Sequence, residues 1–302
     1  MSATVAIIPI ALLVAIGYLA RRSGLVPASA WSGIELCCYR LFFPAIMLVS
    51  VYRADLDWSR IGPFSMALIA AVWIAGLAAF VLKPVLSLPN QQFTTLFATS
   101  TRWNAFVSLA MASQMMGAKG TALVSVAMAF LIPAVNLANI LVLAIWGSAG
   151  GSLGRMLRAV VTNPLILGCT AGLALNLLHL RIPPPVTQGL DMLGASAIPA
   201  SLLIVGAGIQ IDRLWSVYPA LWLGVGIKLL ALPAIFWMLG RHLGLAADLM
   251  VAGLIATSVP TAANGYIVAR QMGGDADLYA DILTWQTLLA VVSIPFVLSA
   301  FS

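Results

Sequence analysis

The sequence predicts an all-α membrane protein whose ten transmembrane helices form two inverted repeats of five helices each. Of its 302 residues, 62% are hydrophobic and only 8% are charged, whereas a soluble domain carries about 25% charged residues. The mean hydropathy is +1.05. Apolar runs near twenty residues long, the length that spans a bilayer as a helix, recur along the whole chain. A soluble globular domain is therefore excluded.

The net charge of +6 does not indicate a nucleic-acid partner. The basic residues stand singly between apolar runs, without a patch interleaved with exposed aromatics, and fit membrane-interface anchors better. The three cysteines, Cys37, Cys38 and Cys169, lie inside apolar runs and are interpreted as small buried hydrophobes. Their spacing suits neither a disulfide nor a metal site, so we expect no cofactor and no metal.

Ten apolar runs can be marked, each bounded by charges, Pro or Gly. The first carries its basic pair, Arg21 and Arg22, after it, the reverse of a cleaved secretory signal. The predicted spans are Thr4–Ala20, Ala30–Val51, Gly62–Leu82, Gln92–Met116, Thr121–Gly147, Met156–Leu178, Val186–Ile211, Ser216–Leu239, Leu249–Met272 and Ala280–Phe301. The longest polar connection, Gly147 to Arg158, falls at the midpoint of the chain.

A weak internal repeat supports a duplication at this midpoint. A shift of 155 residues aligns Pro44-Ala45 with Pro199-Ala200. A shift of 158 aligns Ala98-Thr99-Ser100 with Ala256-Thr257-Ser258. Because these matches keep the order of the chain, we predict two homologous halves.

The halves are residues 1–147 and 148–302, with five spans each. An odd number of spans forces the second half to enter the membrane from the opposite side, which relates the halves by a pseudo-two-fold axis in the membrane plane. Lys and Arg are slightly more frequent in the loops after the odd-numbered spans, and this bias predicts both termini outside the cytoplasm.

The ninth span is predicted to be interrupted at Pro260. Proline lacks an N–H and its ring clashes with the carbonyl one turn back. Thr261 and Asn264 follow it, where a lipid-facing helix would carry large apolar residues. Lipid cannot satisfy the freed backbone groups, so the break should lie in protein or line a cavity, as in the binding sites of secondary transporters. A proline kink healed by its neighbours is the alternative.

The counterpart in the first half, residues 96–117, contains Arg102 and Asn104 but no proline. An arginine about ten residues into a span is costly unless it meets water, a partner or an anion. Arg102 could hold an anionic substrate, because its planar fork matches a carboxylate. An internal ion pair with Glu35 or Asp191 is the alternative.

Several other polar side chains fall within predicted spans. Asn104 and Asn264 could bind a substrate or cap an interrupted helix. Asn136 and Asn139 share one helix face, which should pack on the broken helix of its own half; substrate contact and interhelical hydrogen bonding are both open.

Acidic residues within the spans are few. Glu35 and Asp191 are candidates for coupling transport to a proton or another cation, and a pair of Glu35 with Arg40 is the alternative. At the start of the last span, capping of the helix is the default interpretation of Asp275, Asp277 and Asp281.

Five motifs together resemble the auxin efflux carrier family, in its compact bacterial form. They are FFPAIMLVSV, IPAVNLANILVLA, NPLILGCTAGLALN, ALPAIFWML and, most specific, SVPTAANGYIVARQMGGDADLYADILTWQTLL. The resemblance covers nearly the whole chain. It implies that spans 1, 2, 6 and 7 form a scaffold, that spans 3–5 and 8–10 form a moving transport domain, and that broken spans 4 and 9 cross near the substrate.

In that family Pro260 matches the crossover proline of span 9, while Arg102-Trp103-Asn104 replaces the proline found in span 4 of plant members. The fold is related to that of bile acid–sodium symporters. No acidic residue adjoins Pro260 here, so no sodium site is predicted.

The expected function is that of a secondary transporter in the inner membrane, moving a small organic anion, a carboxylate, by alternating access. The expected substrate-binding residues are Arg102, Asn104, Asn136, Pro260, Thr261 and Asn264. The expected partners are this anion and the lipid bilayer, with a homodimer as a candidate state. The alternatives are a channel or sensor on the same fold, an intramembrane protease using Ser196 with His179 or His242, and a prenyl transferase using Asp277 and Asp281.

Overall fold

The apolar runs fold into helices wherever the computed structural model describes the chain, which is over residues 3–54, 57–147, 161–209, 219–262 and 265–301, with 154, 158 and 211. These residues contain no strand. In the first half the helices are α1 (Ala3–Arg22), α2 (Ala28–Cys37), α3 (Phe43–Tyr52), α4 (Trp58–Val85), α5 (Asn90–Thr101) and α6 (Ala105–Trp146). In the second half they are α7 (Pro164–Leu177), α8 (Pro184–Ala207), α9 (Pro219–Gly226), α10 (Leu232–His242), α11 (Ala247–Ser258), α12 (Gly265–Met272) and α13 (Ala276–Phe301).

Seven helical stretches of the described chain are long and apolar enough to cross a membrane. One of them, Asn90–Leu143, contains the fourth predicted span and all but the last four residues of the fifth. Inside α6, Gly117 has a φ of 61°, outside the helical region, and separates these two spans. Glycine tolerates this conformation because it has no Cβ. The polar connection predicted at Gly147–Arg158 falls largely outside the described residues.

Two short π-helical segments, π1 (Cys38–Phe42) and π2 (Ile227–Ala231), each precede a proline by two residues. Pro44 and Pro233 cannot donate a backbone hydrogen bond, and their rings displace the carbonyl one turn back. The residue before each proline therefore bonds five residues back: the Phe43 N–H donates to Cys38 and the Leu232 N–H to Ile227. Such bulges keep a membrane helix continuous while widening one turn.

The first of two compact units comprises residues 1–57, 106–129 and 159–209. Within it, α1 packs along α8, and α3 packs against α7 and α8. The backbones of α1 and α8 approach closely at Gly17 and Gly206. A Cβ at Gly17 would lie 2.0 Å from the Leu203 carbonyl oxygen, and one at Gly206 only 1.8 Å from that of Val14. Small residues allow this approach. Because lipid is itself apolar, close packing rather than the hydrophobic effect stabilises the association of helices in a membrane.

The second unit comprises residues 58–105, 130–158 and 210–302. In this unit α4 packs against α5 and α10, α10 against α11, and α13 against α5, α9, α11 and α12. The helix interruptions after α5 and α11 both lie in this unit, which therefore contains most of the candidate site.

Three sequence interpretations need correction. Cys37 is exposed, so only Cys38 and Cys169 are buried hydrophobes.

The acidic residues differ from one another. Asp275 does cap α13, because its carboxylate accepts the Leu278 N–H at 2.9 Å. Asp281, however, is the sixth residue of α13 and only 3% exposed, too far into the helix for a cap. No Glu35–Arg40 ion pair occurs among the described residues.

Candidate functional site at two interrupted helices

The first interruption lies between α5 and α6. Helix α5 ends at Thr101, Arg102 is extended at φ −69° and ψ 152°, and α6 begins at Ala105. Without a proline, this break has other causes. The hydroxyls of Thr99 and Thr101 bond to carbonyls four residues back, a pattern that often bends helices. The Asn104 N–H donates outside its own helix, to the Pro260 carbonyl at 2.7 Å.

The second interruption lies between α11 and α12. Helix α11 ends at Ser258, and Val259 is extended at φ −75° and ψ 155°, the conformation favoured before proline. The hydroxyls of Thr257 and Ser258 bond back to carbonyls of the preceding turn. Since the Pro260 carbonyl accepts from Asn104, the two interruptions are in direct contact.

Gln286 of α13 links both interruptions and is fully buried. Its Oε1 accepts the Thr261 N–H at 2.7 Å. Its Nε2 donates to the carbonyls of Thr99, at 3.3 Å, and Gly224, at 2.9 Å. A backbone N–H that loses its helical acceptor is costly in lipid unless it finds another. The Gln286 side chain supplies that acceptor for the Thr261 N–H.

Tyr279 holds the segment after Pro260 in the same way. Its hydroxyl donates to the Ala262 carbonyl at 2.7 Å and lies 2.9 Å from the Thr261 hydroxyl. Because the tyrosine proton goes to the carbonyl, the threonine hydroxyl is the donor in the second bond. A Cβ on Gly265 would lie 1.9 Å from the Tyr279 hydroxyl, so this position requires glycine.

Arg102 is only 7% exposed, and its Nη2 donates to Asn136 Oδ1 at 3.3 Å. One turn further along α6, Asn139 Nδ2 donates to the Thr101 hydroxyl at 3.0 Å. The asparagine face of α6 thus packs on the interrupted helix of its own half, as the sequence predicts. Asn104 is 3% exposed.

The electrostatics of this cluster favour an anion. The guanidinium of Arg102 brings a full positive charge into the protein interior. Helices α6 and α12 begin at the interruptions, and a helix N-terminus carries about half a positive charge. In the described chain no group of three or more His, Cys, Asp or Glu side chains could hold a metal ion.

The structure does not bring every predicted residue into this cluster. Arg102, Asn104, Asn136, Pro260 and Thr261 lie together, whereas Asn264 is outside the described residues. Asp191 is exposed on α8 and forms a two-bond ion pair with Arg53, both bonds 2.9 Å long, in the first unit. Glu35 is half-buried on α2, also in the first unit.

Three buried residues near the interruptions are not among those predicted from the sequence: Tyr279, Gln286 and Lys228. A signal existed for the last two, because Gln286 and Lys228 are isolated polar residues in the apolar runs LTWQTLL and VGIKLLALP. Polar and ionisable residues inside a span are expensive and usually functional. For Tyr279 the signal was weaker, since its hydroxyl partners depend on the tertiary structure.

Comparison with known proteins gives two matches. A family model described as "Membrane transport protein" matches residues 148–298, which include the second interruption and Gln286. The chain is also similar to a protein of Rhizobium meliloti (strain 1021) named "Putative malonate transporter". The two sequences are 24% identical over 299 residues, which cover 95% of this chain and 92% of that protein.

Proposed function

The chain belongs to the family of membrane transport proteins whose model it matches, that of the auxin efflux carriers, and from this premise we propose that it is a secondary transporter of small carboxylates. It is a multi-pass membrane protein and a transporter rather than an enzyme. One observation carries the proposal on substrate: a buried arginine lies where two interrupted helices meet, in a protein interior that contains few other charges.

In the proposed mechanism the substrate carboxylate binds between Arg102 and the two interrupted helices. The guanidinium offers a fork of N–H donors, and the amide of Asn104 and the segment Pro260–Thr261 complete the site. Asn136 would fix the position of Arg102, since its Oδ1 accepts a hydrogen bond from Arg102 Nη2 at 3.3 Å. Asn264, by its position in the sequence, would contribute a further amide.

The proposed architecture is ten helices in two inverted repeats, residues 1–147 and 148–302. Spans 1, 2, 6 and 7 would be the scaffold, and spans 3–5 and 8–10 would move to expose the site on alternate sides. Support comes from the two interruptions, which occur in corresponding spans of the two halves and contact each other at Asn104 and Pro260. Coupling through Glu35 or Asp191, an inner-membrane location and a homodimer remain parts of the proposal.

The choice of substrates to test comes from the related protein. Its name mentions malonate, a three-carbon dicarboxylate. Malonate, other short dicarboxylates and monocarboxylates of matched length are the first compounds to compare.

Proteoliposomes containing the purified protein test the function. We expect saturable uptake of labelled malonate that accelerates when unlabelled malonate is present inside, because a carrier exchanges substrate faster than it returns empty. Flux that does not saturate and is not stimulated would instead indicate a channel.

The substitution Arg102→Gln tests the site. We expect kcat/KM for uptake to fall by about tenfold to a hundredfold, the range for losing a hydrogen bond to a charged group. Arg181→Gln, at an exposed position outside the helices, is the matched control and should transport like the wild type. Equal transport by both variants would refute the assignment of Arg102.

A further inference from the structure

Lys228 is a charged side chain for which the described part of the chain provides no acceptor. It lies in π2, in the middle of an apolar stretch, and its exposed fraction is 0%. Its Nζ has no hydrogen-bond partner among the described residues. Buried lysines are normally paired, because taking an ammonium ion out of water is costly unless an anion or several acceptors surround it.

The packing of π2 brings Lys228 against both interrupted helices. Helix α5 packs against α4 and α9, and α11 chiefly against α10, while π2, between α9 and α10, contacts both α5 and α11. Those two helices end at the two interruptions. The segment that carries Lys228 therefore packs against both helices that end at the interruptions.

Gln286 gives a second, independent indication of the same position. Its amide bonds to the carbonyls of Thr99 and Gly224. Arg102 follows Thr99 by three residues and Lys228 follows Gly224 by four, each about one turn, or roughly 4.5–6 Å along a helix. The buried Gln286 side chain thus bonds both to α5, which precedes Arg102, and to α9, which precedes Lys228.

The carboxylates on the described helices around π2 do not pair with Lys228. The acidic residues on helices that contact π2 are Asp248, Asp277 and Asp281. Asp248 is bound to Arg60 at 2.6 Å, and none of the three accepts a hydrogen bond from Lys228 Nζ. An anion from outside the chain is the group that would satisfy this amine.

We propose that Lys228 is a second cationic anchor for the substrate, beside Arg102, and that the site therefore takes a dianion, a short dicarboxylate, in preference to a monocarboxylate. This inference rests on the proposed transport of carboxylates. Arg102 presents a flat fork that suits one carboxylate bidentately, and Lys228 presents a compact charge for the other. A monocarboxylate bound at Arg102 leaves the Lys228 amine uncompensated.

Lys228 is closed off from solvent in this structure, as the proposed site is. Arg102 and Asn104 are also almost fully buried, at 7% and 3% exposed. Access to the amine therefore requires the same opening as access to the rest of the site.

The test measures binding to the purified full-length protein by titration calorimetry, with malonate and succinate compared against acetate and propionate. We expect the wild type to bind the dicarboxylates at least about tenfold more tightly. In Lys228→Gln this preference should disappear, through a loss of about tenfold to a hundredfold in dicarboxylate affinity with little change for the monocarboxylates. Arg102→Gln should weaken both classes.

The outcomes separate this inference from the proposed function. If the wild type binds no carboxylate, the proposed function fails and this inference with it. If it binds carboxylates without preferring two charges, or if Lys228→Gln keeps the preference, only the role of Lys228 is refuted. Lys228→Met provides a second neutral variant of similar length should the glutamine variant not fold, and a merely structural lysine would not change the ratio of the two affinities.

Discussion

Gln286 shows how a single side chain can stabilise a helix interruption inside a membrane. It accepts the N–H that Pro260 leaves exposed on Thr261 and bonds to carbonyls of α5 and α9. Its amide thus bonds to the backbone of two helices and of the segment that interrupts a third. Its role is to position the site rather than to bind substrate directly.

Replacing Gln286 by Leu should destabilise the protein by about 1–3 kcal/mol, because the Thr261 N–H is left buried without an acceptor. The measurement is thermal unfolding of the detergent-solubilised protein, followed by tryptophan fluorescence. Gln188→Leu, at an exposed position of α8, is the control and should unfold like the wild type. Equal unfolding temperatures for the two variants would mean that Thr261 finds another acceptor.

At the scale of elements, prolines have different consequences according to their position. Pro44 and Pro233 create π-helical turns and leave their helices continuous, whereas Pro260 ends α11. The difference lies in the residues after each proline. Apolar residues continue the first two helices, whereas Thr261 and Ala262 are held in place by Gln286 and Tyr279.

The substitution Pro260→Ala should lower the rate of transport without lowering the stability of the protein. It restores an N–H and frees Val259 to become helical, so the protein without ligand should be at least as stable as the wild type, since proline costs about 3 kcal/mol inside a helix. Transport should nevertheless fall by at least about tenfold, because continued helix would displace Thr261 from the site.

Proteoliposome uptake and thermal unfolding, measured on the same preparation, test this pair of expectations. Pro184→Ala is the control, since Pro184 is the first residue of α8, where proline removes no helical hydrogen bond. Undiminished uptake by Pro260→Ala would show that the second interruption, like the first, does not depend on proline.

At the scale of the whole molecule, the proposed ten-helix inverted repeat predicts on which side of the membrane the ends of the chain lie. An even number of spans puts both termini on one side, and the Lys and Arg bias puts that side outside the cytoplasm. Alkaline phosphatase fused after Phe301 should therefore be active, because the enzyme folds only outside the cytoplasm. A fusion after Leu86, in the connection that follows α4, should be inactive; the reverse pattern would invert the topology.

The two compact units bear on how such a protein could work. The second unit contains Arg102, Pro260, Lys228 and Gln286, so the residues proposed to hold substrate belong to one body of the fold. A site built on one body keeps its geometry when that body moves. This is the property that alternating access requires of a binding site.

The sequence alone determined the membrane class, the positions of the apolar runs and the interruption at Pro260. These features depend on local chemistry: the transfer of apolar side chains into lipid, and a covalent ring that removes one hydrogen-bond donor. They can be read from a few neighbouring residues, without knowledge of what lies across the protein.

The family resemblance implied a break in span 4, but only the tertiary structure placed it at Arg102, without a proline, and showed the partners of Tyr279 and Gln286 and the burial of Lys228. The Gln286 amide matters because Thr99, Gly224 and Thr261, up to 187 residues away, meet it in the folded chain. Hydrogen bonds between distant segments depend on which surfaces pack together, and packing is settled by the shape of all the helices at once. A side chain's sequence neighbours do not contain that information.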